Sequence, residues 1–397
     1  MVGLIGKPNT GKSSFFNAAT LLDAPVANYP FTTIEPNVGV AYITRKCVCR
    51  ELGVQDNPKN SACVDGIRRI PVKLVDVAGL IPGASKGLGL GNKFLDDLRR
   101  ADALIHVVDA SGGTDKEGKV VTSGTQDPME DIAFVEKEYD LWLTSILVKD
   151  WAKMTRHVEP AKAKEAVAEK LTGLGVTVGD MLDAVRKAQL EAKKMSDWND
   201  EEVALFASEV RKTNKPILIA GNKSDVPAAA AILKRIQDSG RMVIPTSAAA
   251  ELLLRRAAEK GLIAYSPGDS SFTIKEGAVS PEQAKALEFV RERVLSPYGS
   301  TGVQKALNEA YYTLLNGIVV YPVEDENKFV DKNGNVLPDA FVVPRGSTPK
   351  DLAAKIHSDL AEGFLYAVDA KKKTRLGAEY QLKDGDVIKI VATSRRA

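Results

Sequence analysis

Residues 6–13 read "GKPNTGKS", a match to GxxxxGK[ST] that constrains the fold more than any other stretch of the chain. The pattern works only where a strand delivers the chain into the turn and a helix carries it away. Both neighbours qualify, since "VGLI" is a short apolar run and "SFFNAATLL" has amphipathic helical spacing. A loop in that setting points backbone N–H groups at phosphates from a helix N-terminus. Lys7, Pro8, Asn9, Thr10, Gly11, Lys12, Ser13 and Ser14 are therefore expected to surround a nucleotide, with Lys12 reaching the β and γ oxygens and Ser13 ligating Mg²⁺.

The 397 residues exceed one ordinary core and predict two or three domains. The 54 Lys and Arg balance 52 Asp and Glu, which excludes wholesale coating of nucleic acid or a membrane, and no DNA specificity is evident. No apolar run approaches a membrane span and no basic segment precedes "VGLI". Three cysteines are too few for a disulfide framework, so the chain is expected in the cytoplasm.

Apolar runs continue at "VGVAYI", "IPVKLVDVA", "ALIHVVDA", "PILIAGN" and "MVIPTS", several flanked by helical pattern. Continuous apolar strands alternating with helices predict an α/β fold with a mostly parallel sheet covered on both faces. Residues 112 to 125 are rich in Gly, Thr and Lys and read as a mobile linker. Strong helical periodicity from about 125 to 212 predicts a helical insertion projecting from the sheet, and further helices are expected from about 250 to 317. In "SPEQ" the sequence supplies a cap and a proline at the first helical position. The nucleotide-binding domain is thus expected over 1–317. From 318 to 397 the pattern changes to short strands around one helix, capped by Thr348 with Asp351, and predicts a small α+β domain.

Three further fragments share the chemistry of the phosphate loop. "LVDVAG" ends a strand with Asp76, placed to hold magnesium, and the Gly79 N–H can touch a γ-phosphate. "GNKSD" follows another strand; Asp225 can accept from guanine N1–H and the 2-amino group, a donor pair that adenine lacks. Asn222 would buttress the base, the Lys223 stem would cover its face, and Ser247 and Ala248 in "PTSAAAE" would bring a backbone N–H to guanine O6. Each fragment alone reads equally well as a polar strand-to-helix loop. Four in this order argue for a nucleoside triphosphate with guanine.

"NYPFTTIEPNVG" and "DVAGLIPGASKGLGLGNKFL" resemble the Obg and YchF branch of P-loop GTPases, and "RGSTPKDLAAKIHSDL" with "GDVIKI" is similar to its ubiquitin-like TGS domain. The resemblance covers nearly the whole chain. It implies a GTP-binding and GTP-hydrolysing switch whose partner is the ribosome or another RNA-containing translation component, with Thr33 as the switch residue for Mg²⁺ and the γ-phosphate. Typical YchF proteins have a base motif ending in glutamate and accept ATP; "NKSD" departs from that and implies GTP. The branch also resembles GTPases with a hydrophobic residue, here Leu80, at the place of the water-positioning glutamine. Catalytic work would then fall on Lys12, Thr33, Gly79 and Asn9, the last holding a K⁺ ion against the phosphates. Slow intrinsic hydrolysis follows. A nucleotide-gated binding or stress-signalling protein with negligible turnover, an ATP-using YchF-type enzyme, and a metabolic NTPase acting on a small molecule are the alternatives.

Three signals stand apart. Cys47, Cys49 and Cys63 lie in a polar excursion between two strands; they could ligate zinc, but no histidine is near and a fourth ligand is missing, so they read as thiols of a surface hairpin. His106 reads as a core strand residue, and His157 and His357 have no visible catalytic partner. "DAKKKTR", residues 369–375, is a basic turn that reads as solvated, with RNA phosphates as the alternative.

Overall fold

The structure, a computed structural model, describes residues 1–20, 38–77, 100–156 and 158–393. Thr33, Gly79, Leu80 and His157 lie outside these. Compact packing separates two groups that are not successive stretches of chain: among the described residues, 1–20, 38–39, 73–77 and 100–306 form one, and 40–72 with 307–393 form the other.

The elements run β1 (Val2–Ile5), α1 (Lys12–Thr20), β2 (Val38–Lys46), α2 (Cys49–Leu52), β3 (Ala62–Val64), β4 (Ile67–Asp76), β5 (Ala103–Asp109), α3 (Pro128–Thr155), α4 (Pro160–Thr172), α5 (Val178–Lys187), α6 (Asp200–Asn214), β6 (Ile217–Asn222), α7 (Ala229–Asp238), β7 (Val243–Pro245) and α8 (Ala248–Glu259). The sheet is ordered β2-β4-β1-β5-β6-β7, with β3 antiparallel on β4. From β4 to β7 every pairing is parallel, with Val2 opposite Leu74 and Ala103, and His106 opposite Ile219. All seven residues of β5 are buried, as a strand covered on both faces requires, and this explains why it is mostly apolar, His106 and Asp109 apart. Parallel order has a functional consequence: Ile5, Asp76, Asp109, Asn222 and Pro245 all end their strands at one edge, where loops can converge on a ligand.

The helices between β5 and β6 form as their signals demand. Asp127 caps α3 by accepting from the Met129 N–H and Pro128 takes the first position, while α5 and α6 begin with capping boxes at Thr177/Asp180 and Asn199/Glu202. Their shared interior holds Trp151 stacked on Trp198 with centroids 5.4 Å apart, both near Phe206. That interior is continuous with Ile5, Val75 and Leu104 of the sheet, so the insertion shares the sheet's core rather than carrying one of its own.

Residues 112–125 are a correction to the linker reading. Thr114 bridges Val120, and Val121, Gly124 and Gln126 donate to Gly113, Ser111 and Gly112. Satisfied backbone, which composition does not report, makes this a folded turn.

After α8 come a short hairpin of β8 (Ile263–Ala264) and β9 (Thr273–Ile274) and helix α9 (Pro281–Val290), where Ser280 and Gln283 complete the capping box that "SPEQ" predicts. The second group contains a sheet of β10 (Gly317–Val323), β11 (Phe341–Pro344), β12 (Phe364–Asp369), β13 (Thr374–Leu376) and β14 (Val387–Ala392), ordered β11-β10-β14-β12-β13 with β10 and β14 parallel. Helix α10 (Pro349–Ile356), capped by Thr348 and Asp351, places Leu352 in a core with Ile318, Val320 and Ile388. His357 caps the next helix, α11 (Ser358–Glu362), by accepting from the Asp359 N–H at 3.2 Å. The basic turn is solvated as the sequence predicts, with Lys372, Lys373 and Arg375 exposed, and its backbone is ordered: Asp369 accepts from the N–H groups of Lys371 and Lys372, and Arg375 lies 3.8 Å from the Tyr366 ring centroid.

Candidate functional site

The phosphate loop emerges from β1 and enters α1 as the sequence predicts. Asn9 and Gly11 have φ of 62° and 91°, the left-handed region that turns successive N–H groups toward one point. A Cβ on Gly11 would sit 2.1 Å from the Asn222 amide nitrogen, so glycine is required there for space as well as conformation. Thr10 Oγ1 donates to the Lys7 carbonyl at 3.0 Å and braces the turn. Ser13 is exposed at the start of α1 and Ser14 partly so, whereas Thr10 is buried.

Lys12 forms an ion pair with Asp76 at the end of β4. The strand order explains the meeting, because β1 and β4 are neighbours with Leu4 opposite Asp76. The serine hydroxyl and aspartate carboxylate at this point are hard oxygen donors that suit Mg²⁺.

Asn222 joins the loops. Its amide nitrogen donates to the Thr10 carbonyl at 2.8 Å, and its Oδ1 accepts from the Ala248 N–H at 3.0 Å. Ser247 caps α8 and its hydroxyl donates to Asp225 Oδ1 at 2.8 Å. A half-buried carboxylate is thereby held in a loop fixed to the phosphate loop. Two details differ from expectation. Asn222 supports the base loop by bonding to protein on both sides, and the N–H groups of Ser247 and Ala248 are already engaged, the former with the Thr301 carbonyl at 2.9 Å. Neither is left unshared for guanine O6; the following first-turn residue of α8, Ala249, is exposed.

Lys223 is anchored by a residue that the motif reading missed. Its Nζ lies 2.7 Å from Asp109 Oδ2 at the end of β5. Asp109 also accepts from the hydroxyls of Ser111 and Thr114. Burial pushes the Asp109 carboxyl up, but Lys223 with the two hydroxyls outweighs it and holds the group below its ordinary value. The signal was an acid closing an apolar strand, the same cue that singled out Asp76.

The turn after Ser111 packs on the phosphate loop. Asn9 donates its amide to the Gly118 carbonyl at 2.8 Å, Lys7 Nζ donates to the Thr114 carbonyl at 2.9 Å, and a Cβ on Gly118 would come within 2.9 Å of Pro8. Lys7 also pairs with Asp131 of α3 at 2.7 Å; burial raises the Asp131 carboxyl against that pairing. Behind the loop lies a cavity of about 270 Å³ bordered by Lys7, Thr10, His106, Asp131 and Phe134. It shares none of Lys12, Asp76 or Asp225, and so is not where the phosphates or base would lie. His106 is wholly enclosed in β5 and burial lowers it to about 4, which keeps it neutral and outside the chemistry.

Comparison with known proteins agrees with this arrangement. The 50S ribosome-binding GTPase family matches residues 1–137, the Obg-like GTPase YGR210-like, G4 motif-containing domain matches 220–325, and the TGS domain matches 333–392. The chain is 50% identical over the full length of both chains to an uncharacterized GTP-binding protein of Methanocaldococcus jannaschii. It is 29% identical to the ribosome-binding ATPase YchF of Bacillus subtilis over 97% of each chain. A crystal structure of a GTP-binding protein from Pyrococcus horikoshii aligns with a TM-score of 0.77 and 42% identity over 99% of each chain. The Schizosaccharomyces pombe YchF GTPase shares the fold, at a TM-score of 0.59 and 22% identity over 98% of this chain and 97% of that one.

Proposed function

Because the chain belongs to the Obg and YchF branch of P-loop GTP-binding proteins with a C-terminal TGS domain, we propose that it is a cytoplasmic molecular switch that binds and slowly hydrolyses GTP and signals its nucleotide state to the ribosome or another RNA-containing translation component. Among the described residues, no helix is long and apolar enough to cross a membrane. The observation that carries guanine selectivity is Asp225, held by Ser247 at 2.8 Å in a loop that Asn222 fixes to the phosphate loop. A carboxylate there accepts from the two guanine donors and meets no matching pair on adenine. Relatives named ATPases keep the ATP reading alive, but "NKSD" favours GTP.

On binding, Lys12 would leave Asp76 for the β and γ oxygens, while Ser13 and Asp76, with Thr33 by family resemblance, would hold magnesium. Magnesium, when bound, neutralises charge on the transferred phosphoryl group. The Gly79 N–H would contact the γ-phosphate, again by resemblance. Asn9 is the proposed contact for a K⁺ ion against the phosphates, the cation standing in for an arginine finger in a site where Leu80 takes the place of the glutamine.

Competition between GTP and ATP for the full-length protein, followed by phosphate release from GTP with and without purified ribosomes, tests the reading. Preference for GTP and stimulation by ribosomes are expected. ATP preference would overturn the base assignment, and tight GTP binding without stimulation would remove the ribosomal partner.

A further inference from the structure

Away from the nucleotide site, the excursion between β2 and β4 brings together four groups that the sequence scatters. Cys47 follows β2, Cys49 opens α2, Asp56 lies in the extended stretch beyond it, and Cys63 is in β3. The left-handed Gly53, with φ of 65°, ends α2 and turns the chain back so that these positions converge. Their three sulfurs and one carboxylate oxygen all lie within 4.8 Å of one another. We propose that Cys47, Cys49, Cys63 and Asp56 form a structural zinc site that fastens this excursion within the C-terminal unit.

The geometry is close to what zinc needs. Zn–S bonds of about 2.3 Å arranged tetrahedrally put the ligand atoms roughly 3.8 Å apart. Cys49 and Cys63 have their sulfurs 3.9 Å apart, and the Cys47 sulfur is 3.2 Å from Asp56 Oδ2. Ångström-scale rotation of side chains would complete the tetrahedron. Cys47, Cys49 and the Asp56 side chain are each about 5–6% exposed and Cys63 is partly buried, so three of the four proposed ligands are enclosed, as in a structural centre.

The surroundings supply the second layer that metal ligands need. Arg68, directly opposite Cys63 in the β3–β4 ladder and fully buried, donates to Asp56 Oδ2 at 2.9 Å and to the Leu337 carbonyl at 2.6 Å. It orients the carboxylate. Three thiolates and a carboxylate around a divalent ion leave negative charge, which this buried guanidinium partly offsets. The fourth ligand is thus an aspartate; Cys63 does sit partly exposed in the β3–β4 hairpin, whereas Cys47 and Cys49 are buried.

What such a clip would hold is also visible. Asn57 and Lys59 donate backbone N–H groups to the Val336 and Pro338 carbonyls, and the Asn60 side chain bonds both N–H and C=O of Ala340. These contacts come from an irregular stretch with no helix or strand of its own, which a metal would restrain.

Full-length protein prepared under reducing conditions should retain one zinc per chain by mass spectrometry of the metal, and cobalt exchanged into it should give an intense sulfur-to-cobalt charge-transfer band. Cys63→Ser and Cys49→Ser should each cut zinc retention at least tenfold, and Asp56→Asn should weaken it roughly tenfold to a hundredfold. Since any of these variants could unfold, the wild-type metal content and cobalt spectrum decide the matter. Substoichiometric zinc after equilibration with zinc, with three titratable thiols remaining, would overturn the proposal. A Cys49–Cys63 disulfide in the reduced preparation would overturn it equally.

Discussion

Asn222 donates to the carbonyl of Thr10, 212 residues earlier in the chain, across 2.8 Å. This one bond couples the GxxxxGK[ST] loop, proposed to hold the phosphates, to the NKSD loop, proposed to read the base, and the other end of the same amide holds Ala248. Replacing it by alanine strands a buried carbonyl and a buried N–H, a loss of about 1–3 kcal/mol. Asn222→Ala is therefore expected to weaken GTP binding roughly fivefold to a hundredfold, measured by titration calorimetry. Unchanged affinity in a folded variant would show that the two loops need no common anchor.

Asp225 offers a sharper test, because its chemistry can be inverted. Asn in its place presents an amide donor where the carboxylate accepted, a mismatch to guanine's 2-amino group and a match to the 2-oxo group of xanthine. Asp225→Asn should lose GTP affinity at least tenfold and gain affinity for xanthosine triphosphate, consistent with about 1–3 kcal/mol for a paired contact. A variant that keeps its GTP preference would place the base elsewhere.

His106 predicts a pH dependence of stability. Burial lowers its folded value to about 4 from the ordinary 6.5, with Glu136 opposing and Lys7 adding to the effect. Between those values the unfolded chain binds a proton that the folded chain excludes. Stability should thus fall as pH drops from about 6.5 toward 4, by at most about 1.4 kcal/mol per pH unit for one proton. Urea unfolding at pH 7.5 and pH 5 should show a larger loss for the wild type than for His106→Leu. Parallel losses would assign the acid sensitivity to other groups.

Asn9 tests the cation idea. Hydrolysis of GTP is expected to run faster in KCl than in NaCl at matched ionic strength, and Asn9→Ala should abolish the difference. Because the Asn9 amide also donates to the Gly118 carbonyl, nucleotide affinity must be measured alongside to separate loop disorder from loss of the ion. Equal rates in both salts for the wild type would sink the role.

What the sequence made legible was local chemistry. The GxxxxGK[ST] loop forms between a strand and a helix as its local pattern demands, and capping at Thr348 and Ser280 likewise involves near neighbours. Pairings across distant chain were hidden: Asp109 with Lys223, Lys7 with Asp131, and Asp56 with the cysteines exist because parallel strands or a returning turn bring them together. The segment 112–125 was misread for a related reason. Its glycines look like looseness in composition, whereas Gly112, Gly118 and Gly124 occupy positive φ that a tightly bonded turn demands.

The ion pair between Lys12 and Asp76 carries one more implication. Each residue is the natural partner of one half of a magnesium nucleotide, and each is occupied by the other. A phosphate arriving alone would take the lysine and leave an aspartate facing its own negative charge; a divalent ion alone would take the aspartate and leave the lysine repelled. Only both together exchange one internal pair for two external ones. If Lys12 and Asp76 take the roles proposed for them, nucleotide and metal are expected to reinforce one another, each releasing the residue that the other needs.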